Sequence, residues 1–324
     1  MALFEAVREL EPEIDGCSTE RRQTAVSTEF TRVTTTVVLE GGGETGRGED
    51  VTYQAEQHTD FPQLDERGRM PLAVFSRRLD AYGLADYRRW AFESAALDLA
   101  LRQAGLSLGR AVGRDYGPVR FVVSTRLEVR PWLELYPQLE FKLDPTSEWS
   151  DGHMREIAAT GRVHVLDLKG QYVGTPVDQP PDPRLYRAVV ETFPDAVIED
   201  PALTDETREA LRGAEDRLSW DAPIHSVDDI RRLEREPRFL NIKPSRFGTV
   251  ERLFEAIDYC NRSGIAMYGG GQFELGRGRE QIQALASLFY ADAPNDVAPG
   301  EYNEGGPRAG LPQSPLPSPD RHGF

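Results

Sequence analysis

Residues 195–243 read DAVIEDPALTDETREALRGAEDRLSWDAPIHSVDDIRRLEREPRFLNIK. DAVIED, RLSWD and RFLNIK are short runs with apolar centres, the length and composition of buried strands. TDETREALRGA and SVDDIRRLERE lie between them with helix-like spacing of apolar residues. The unit is strand, helix, strand, helix, strand, and its runs close on charge: Glu199 and Asp200, Asp221, then Lys243. Working outward, RFVVSTRL, LEFKLD and VHVLDL precede it and GIAMYGG follows, while DPRLYRAVVETF, TVERLFEAIDYC and GREQIQALASLF supply further helices. Seven strands with intervening helices predict a βα-repeat architecture, either a closed barrel or a doubly wound sheet. No Gly-x-Gly-x-x-Gly follows the first run, which removes the usual nucleotide-binding support for the second option. A barrel is the expected fold.

Before the repeats, RVTTTVVLE reads as a β-branched strand leading into a glycine-rich turn, GGGETGRGED. YRRWAFESAALDLALRQAGLSLGR then reads as a helix with Gly105 as its stop. These elements predict a small α+β domain over roughly residues 1–115. The segment EGGPRAGLPQSPLPSPDRHGF is rich in Pro and Gly and is expected to form a tail with little structure of its own.

The chain has 324 residues and a net charge of −16, which argues against nucleic acid or an anionic membrane as partner. No apolar run approaches a membrane span. The stretch MALFEAVRELEPEIDG lacks the basic-then-apolar order of a secretory signal, and Cys17 and Cys260 are isolated thiols. A cytoplasmic protein without disulfides is expected.

In a βα barrel, chemistry gathers where the strands end. In order those ends carry Lys142 and Asp144, Asp167 and Lys169, Glu199 and Asp200, Asp221, Lys243, and Glu274 just beyond the seventh run. Of 38 basic residues 35 are Arg, and all three Lys of the chain stand in that series. Asp167, Glu199 and Asp221 on three consecutive strands offer oxygen ligands for a hard divalent cation, and Mg²⁺ suits such a site.

The chain also resembles a known family in motif order. GRGED resembles the Gly-x-Gly-Glu turn of the enolase superfamily's capping domain, and AFESAALDLALRQAGLSLGRAVGR its Ala-rich helix. FKLD resembles the second-strand Lys-x-Lys, VLDLKG the third-strand Asp-x-Asn, VIEDP the fourth-strand Glu and WDAPI the fifth-strand Asp-Glu. NIKPSRFG resembles the sixth-strand Lys segment and GGGQFELG the Glu segment after the seventh. The likeness spans about residues 30–303 and is greatest to the muconate-lactonizing and o-succinylbenzoate-synthase side.

The resemblance implies a (β/α)7β TIM-like barrel with an N-terminal α+β capping domain: capping domain 1–115, barrel 116–303, tail 304–324. It implies a lyase or isomerase in which Mg²⁺, with Mn²⁺ as the alternative, is held by Asp167, Glu199 and Asp221. The cation would bind the carboxylate of a small substrate and stabilise the enediolate left when the α-proton departs. Lys243, Lys169 and Lys142 are the candidate catalytic groups, Lys243 foremost, and a Lys base needs a lowered pKa. Asp144 and Glu274 would support them. Thr19, Arg21 and Arg22, on a capping loop at residues 14–27 that works with a second at 49–60, would meet substrate. The expected partner is a small carboxylate, and a homo-oligomer is compatible with the sequence.

Three positions depart from the family pattern. The second Lys of Lys-x-Lys is Asp144, the Asn of Asp-x-Asn is Lys169, and the Glu after the fifth-strand Asp is Ala222. One amino group is thus lost on the second strand and one gained on the third. Lys169 is expected either to take over the base position, oriented by Asp144, or to pair with Asp167 and displace the metal. None of the five His lies at the end of the seventh run, which argues against a mandelate-racemase-type dyad. The last-strand stretch NDVAPGEYN offers Asp296 and Glu301 in place of the Asp-x-Asp of dipeptide epimerases. NIKPSRFG most resembles o-succinylbenzoate synthases, which implies dehydration of that type or cycloisomerisation, with racemisation or epimerisation as the alternative. A Schiff-base lyase, which needs a nucleophilic Lys, and a non-catalytic binding barrel are readings of other classes.

Overall fold

The computed structural model describes residues 2–26, 30–319 and 322–324. Its N-terminal part contains β1 (Glu13–Ile14), β2 (Gly16–Ala25), β3 (Thr31–Gly41), β4 (Glu44–Asp50) and β5 (Gly68–Arg69). β2, β3 and β4 form an antiparallel sheet in that order, and β1 pairs with β5. Helices α1 (Leu72–Leu79), α2 (Asp86–Gln103) and α3 (Leu108–Val112) complete this region. The β-branched TRVTTTVVLEG forms the central strand because its branched side chains suit a pleated surface covered on both faces.

Two expectations are corrected here. GRGED is not a turn but most of β4, and the chain reverses earlier, at Gly42 and Gly43. The glycines serve close packing: a Cβ on Gly46 or Gly48 would lie 2.2 Å or 2.1 Å from the carbonyl oxygens of Ala95 and Ala91 on α2. The Ala-rich helix and the Gly-x-Gly strand are two sides of one contact. Nor is 14–27 a loop: Gly16–Ala25 is an edge strand paired along its length with β3, and Ser27 lies outside the described residues.

The second region is one parallel sheet whose strands neighbour one another in chain order. They are β6 (Val123–Thr125), β7 (Phe141–Leu143), β8 (Val163–Asp167), β9 (Val197–Glu199), β10 (Leu218–Trp220), β11 (Phe239–Ile242) and β12 (Ala266–Gly269). All seven sequence runs are present. Around them lie α4 (Arg130–Leu135), α5 (Asp151–Ala158), α6 (Pro183–Thr192), α7 (Asp205–Ala210), α8 (Val227–Arg232), α9 (Pro244–Phe247), α10 (Val250–Ser263) and α11 (Arg277–Phe289).

Two residues close the ring. Asn295 bridges Phe121 before β6, and Asp296 bridges Gly270 after β12, both in parallel sense. The Asn295 side chain accepts from the amide of Gly269 (2.7 Å) and donates to the carbonyls of Arg120 (2.9 Å) and Tyr290 (3.0 Å). The eighth strand is thus reduced to two bridges and one amide side chain that replaces missing ladder bonds.

The two regions are joined by buried polar groups. Arg32 donates to the carbonyls of Val51, Thr52, Gln272 and Phe273 at 2.6–3.1 Å. Glu49 accepts the amides of Leu275, Gly276 and Gly278 at 2.7–3.0 Å, so a capping-domain carboxylate holds the loop that starts α11. Beyond Asn303 the described chain has isolated bridges but no helix or longer strand, yet it is pinned. Val119 pairs with Leu316, and the buried Phe324 ring meets Trp90 edge-on at 6.2 Å. No helix among the described residues is long and apolar enough to cross a membrane.

Candidate active site

Parallel strands in a barrel all point the same way, so their final residues meet at one mouth. Asp167 and Glu199 end β8 and β9, Asp221 follows β10, and all three are fully buried. One oxygen from each lies within 4.8 Å of the others. The Asp221 Oδ1 atom is buried with no hydrogen-bond partner among the described residues. A buried carboxylate oxygen without a donor is costly unless something positive meets it, and three convergent carboxylates are hard-cation chemistry. These residues fit a divalent cation.

The three lysines surround the triad. Lys142 Nζ lies 2.5 Å from Glu199 Oε1, 3.3 Å from Asp167 Oδ2 and 3.6 Å from Asp296 Oδ2. Lys169 Nζ contacts Asp167 Oδ2 and lies 3.6 Å from Asp144 Oδ1. Lys243, at the end of β11, is 2.8 Å from Asp221 Oδ2. A cavity of about 270 Å³ opens above, and Lys142, Lys169, Lys243, Asp144, Asp296 and Tyr53 are on its wall.

The electrostatics follow from burial and pairing. Burial opposes charge on Asp167, but the ammonium groups of Lys169 and Lys142 outweigh it and hold the carboxyl far below its ordinary range. Asp221 is likewise held low, by Arg246 and Lys243 against burial. Burial dominates at Glu199 and lifts its carboxyl to about 8, with Lys142 offsetting only part and Asp167 and Asp221 adding to the rise. Asp200 is pushed up to about 7 by burial and then by Asp221. Burial lowers Lys142 and Lys169, but their carboxylates win and both are raised. The lowered ammonium expected of a Lys base is therefore not found at these two. Their partner carboxylates cause the difference, and a cation sharing those carboxylates would oppose it.

Several residues at the mouth carry no clear signal in the sequence. Tyr172 donates to Asp221 Oδ2 (2.8 Å) and accepts from Arg246 (3.0 Å), which itself lies 3.4 Å from that oxygen. Tyr268 and Asn241 both donate to Glu199 Oε2, Asn241 at 3.1 Å. Asp200 accepts the amides of Asp221 (2.8 Å) and Ala222 (2.9 Å), fixing the fifth-strand loop where the family pattern has Glu. Arg246 stands three residues after Lys243 on α9, a position readable only once that short helix is known.

The remaining expected site residues are elsewhere. Glu274 is buried but braces its own loop, accepting from the Gln272 amide at 2.7 Å with Arg279 3.4 Å away. It lines an adjoining cavity of about 310 Å³, not the one above the triad. Thr19 and Arg21 are exposed on β2, opposite Val37 and Thr35, and neither lines either cavity. Their neighbour Thr24 does line the second. In the expected loop at 49–60, Tyr53 is the residue on the main cavity wall.

Residues 5–111 match the N-terminal domain, and 115–304 the C-terminal domain, of the family described as a domain of unknown function, DUF8230. The chain belongs to the DUF8230 family. A dipeptide epimerase from Methylococcus capsulatus, complexed with Mg and the dipeptide L-Arg-D-Lys, superposes on this DUF8230 protein with a TM-score of 0.72 at 16% identity, covering 96% of this chain and 98% of that one. Muconate cycloisomerase from Pseudomonas fluorescens gives 0.67 at 17% identity, covering 89% and 87%. An enolase-superfamily member of unknown role from Enterococcus faecalis V583 gives 0.68 at 18% identity, covering 90% and 87%. The DUF8230 chain therefore has the enolase-superfamily fold, a TIM-like barrel with a capping domain. In sequence it is 28% identical over 226 residues to o-succinylbenzoate synthase of Bacillus subtilis (strain 168), covering 64% of this chain. The match spans 57% of that relative's length.

Proposed function

We propose that this chain is a Mg²⁺-dependent lyase or isomerase that removes the α-proton of a small carboxylate. The observation that carries the reading is the buried triad of Asp167, Glu199 and Asp221 beneath a cavity with Lys169 and Lys243 on its wall. When bound, Mg²⁺, or Mn²⁺ in its place, would supply positive charge to the substrate carboxylate and to the charge that develops there as the proton leaves. Everything else falls to the chain's own side chains.

Lys243 is the foremost proton-transfer group, held by Asp221 at the cavity wall. Lys169 is the second, two residues past the end of β8, a strand three places from β11 in the sheet order. Two such groups on separate strands permit one to take the α-proton while the other donates to a departing oxygen, which completes a dehydration. The same pair permits return of a proton to the opposite face, which gives racemisation. Lys142 is buried among Asp167, Glu199 and Asp296 and acts as the fixed counter-charge. Similarity to o-succinylbenzoate synthase favours dehydration of a cyclohexadiene carboxylate, with cycloisomerisation next.

The test is α-proton exchange in heavy water across a panel of cyclohexadiene carboxylates, muconate and dipeptides, with EDTA and then with added Mg²⁺. Exchange that stops with EDTA, returns with Mg²⁺ and is lost in Lys243→Met supports the reading. Borohydride trapping of a carbonyl substrate on Lys243, insensitive to EDTA, would replace it with Schiff-base chemistry.

A further inference from the structure

Lys169 is one of the three positions at which the sequence departs from the enolase-superfamily pattern it resembles, and the atoms around it point to a second role. Five of the six triad oxygens already have donors. Asp167 Oδ1 accepts the Lys169 amide (3.1 Å), and Asp167 Oδ2 is shared by the ammonium groups of Lys142 and Lys169. Glu199 Oε1 meets Lys142, and Glu199 Oε2 meets Asn241 and Tyr268. Asp221 Oδ2 meets Lys243 and Tyr172, leaving Asp221 Oδ1 as the one without a donor. A cation held by the triad would need an oxygen of Asp167 as well, and the Lys169 ammonium is on Oδ2.

Lys169 has somewhere else to go. Asp144 Oδ1 is 3.6 Å from its Nζ, is buried and makes no hydrogen bond among the described residues. The other oxygen of Asp144 accepts from Arg126 at 3.0 Å, which leaves Oδ1 available. The Lys169 backbone, by contrast, is immobilised. It sits at φ +53°, its amide is bonded to Asp167, and the next amide donates to the Asp200 carbonyl at 2.8 Å. A Cβ on Gly170 would lie 2.2 Å from the Ala202 nitrogen, so this loop is wedged against the next one. Only the side chain is free to change partners, and the Tyr172 ring, 5.2 Å from Nζ, gives it an aromatic face near both positions.

We propose that Lys169 is a two-position ammonium: it neutralises Asp167 when no cation is bound and transfers to Asp144 when Asp167 helps to hold a divalent cation. Asp144 then sets the metal affinity without touching the metal. The proposal rests on the metal-dependent reading above. It also links loading to chemistry, because the cation moves Lys169 off the triad and leaves it on the cavity wall.

The experiment is calorimetric titration of Mg²⁺ into the wild type, Lys169→Met, Asp144→Asn and the double variant, with thermal unfolding to verify each fold. Lys169→Met should bind Mg²⁺ about tenfold more tightly, the gain expected if Lys169 occupies Asp167 in about nine molecules of ten. Asp144→Asn should weaken binding about tenfold in the wild type and have no effect in the Lys169→Met background. Lys169→Gln repeats the cycle should the Met variant misfold. An equal effect of Asp144→Asn in both backgrounds would reduce its role to simple Coulomb attraction and overturn the proposal. An unchanged affinity in Lys169→Met also overturns it while leaving the metal-dependent reading intact. No Mg²⁺ binding by any of the proteins would sink both.

Discussion

The two sides of the barrel mouth are built differently. On the β10–β11 side, Asp221 Oδ2 is held by Lys243, Tyr172 and Arg246, and Asp221 Oδ1 is buried with no donor among the described residues. One oxygen is saturated and the other is left without a donor. On the β7–β8 side, Asp167 Oδ2 is shared by two ammonium groups, and a spare acceptor waits on Asp144. The first side is preorganised, which lowers the reorganisation needed during reaction. The second is adjustable. Of the three positions at which the sequence departs from the enolase-superfamily pattern it resembles, Ala222 falls on the rigid side and Asp144 and Lys169 on the adjustable one.

The contrast can be broken most sharply at Lys243. Under the proposed function, Lys243→Met should lower α-proton exchange by about 10²–10⁴-fold, the usual worth of a positioned proton-transfer group. Retained exchange in that variant, together with its loss in Lys169→Met, would move the main base to the adjustable side. A smaller effect is expected for Tyr172→Phe, which removes one of the donors holding Asp221 while Lys243 and Arg246 remain. Calorimetry should show Mg²⁺ binding weakened about fivefold, close to the net worth of one hydrogen bond. A Tyr172→Phe loss as large as that of removing Asp221 itself would show the rigid side to depend on one hydroxyl.

The smallest effect lies away from the mouth. Glu140, just before β7, is held at about 2: burial pushes its carboxyl up, but His164 and Arg120 outweigh that. Its folded-state pKa is below its unfolded one, so its stabilisation is present above about pH 4.5 and fades as pH falls toward 2. Glu140→Gln should flatten acid unfolding over that window and leave Mg²⁺ affinity at neutral pH unchanged.

Much of the fold was legible because buried parallel strands are short apolar runs that end on polar residues, as DAVIED, RFLNIK and VHVLDL do. The triad and the three lysines were legible for the same reason. Other features were hidden by chemistry that looks like something else. GCSTERRQTA reads as a loop because an edge strand with both faces polar has no alternation, and its partner strand supplies the pairing. GRGED reads as a turn because glycine also serves close packing. The eighth barrel position is only Asn295 and Asp296, too short for any periodicity. Arg246 is one Arg among 35, and Tyr172 becomes notable only when Asp221 is seen beside it.

Asp167, Glu199 and Asp221 are proposed to hold a divalent cation. Calorimetric titration of Mg²⁺ into the wild type, Glu199→Gln and Asp221→Asn tests this most directly. The account predicts one ion per wild-type chain and binding weakened at least about a hundredfold in each variant. Binding unchanged in both variants, or absent from the wild type, would contradict it.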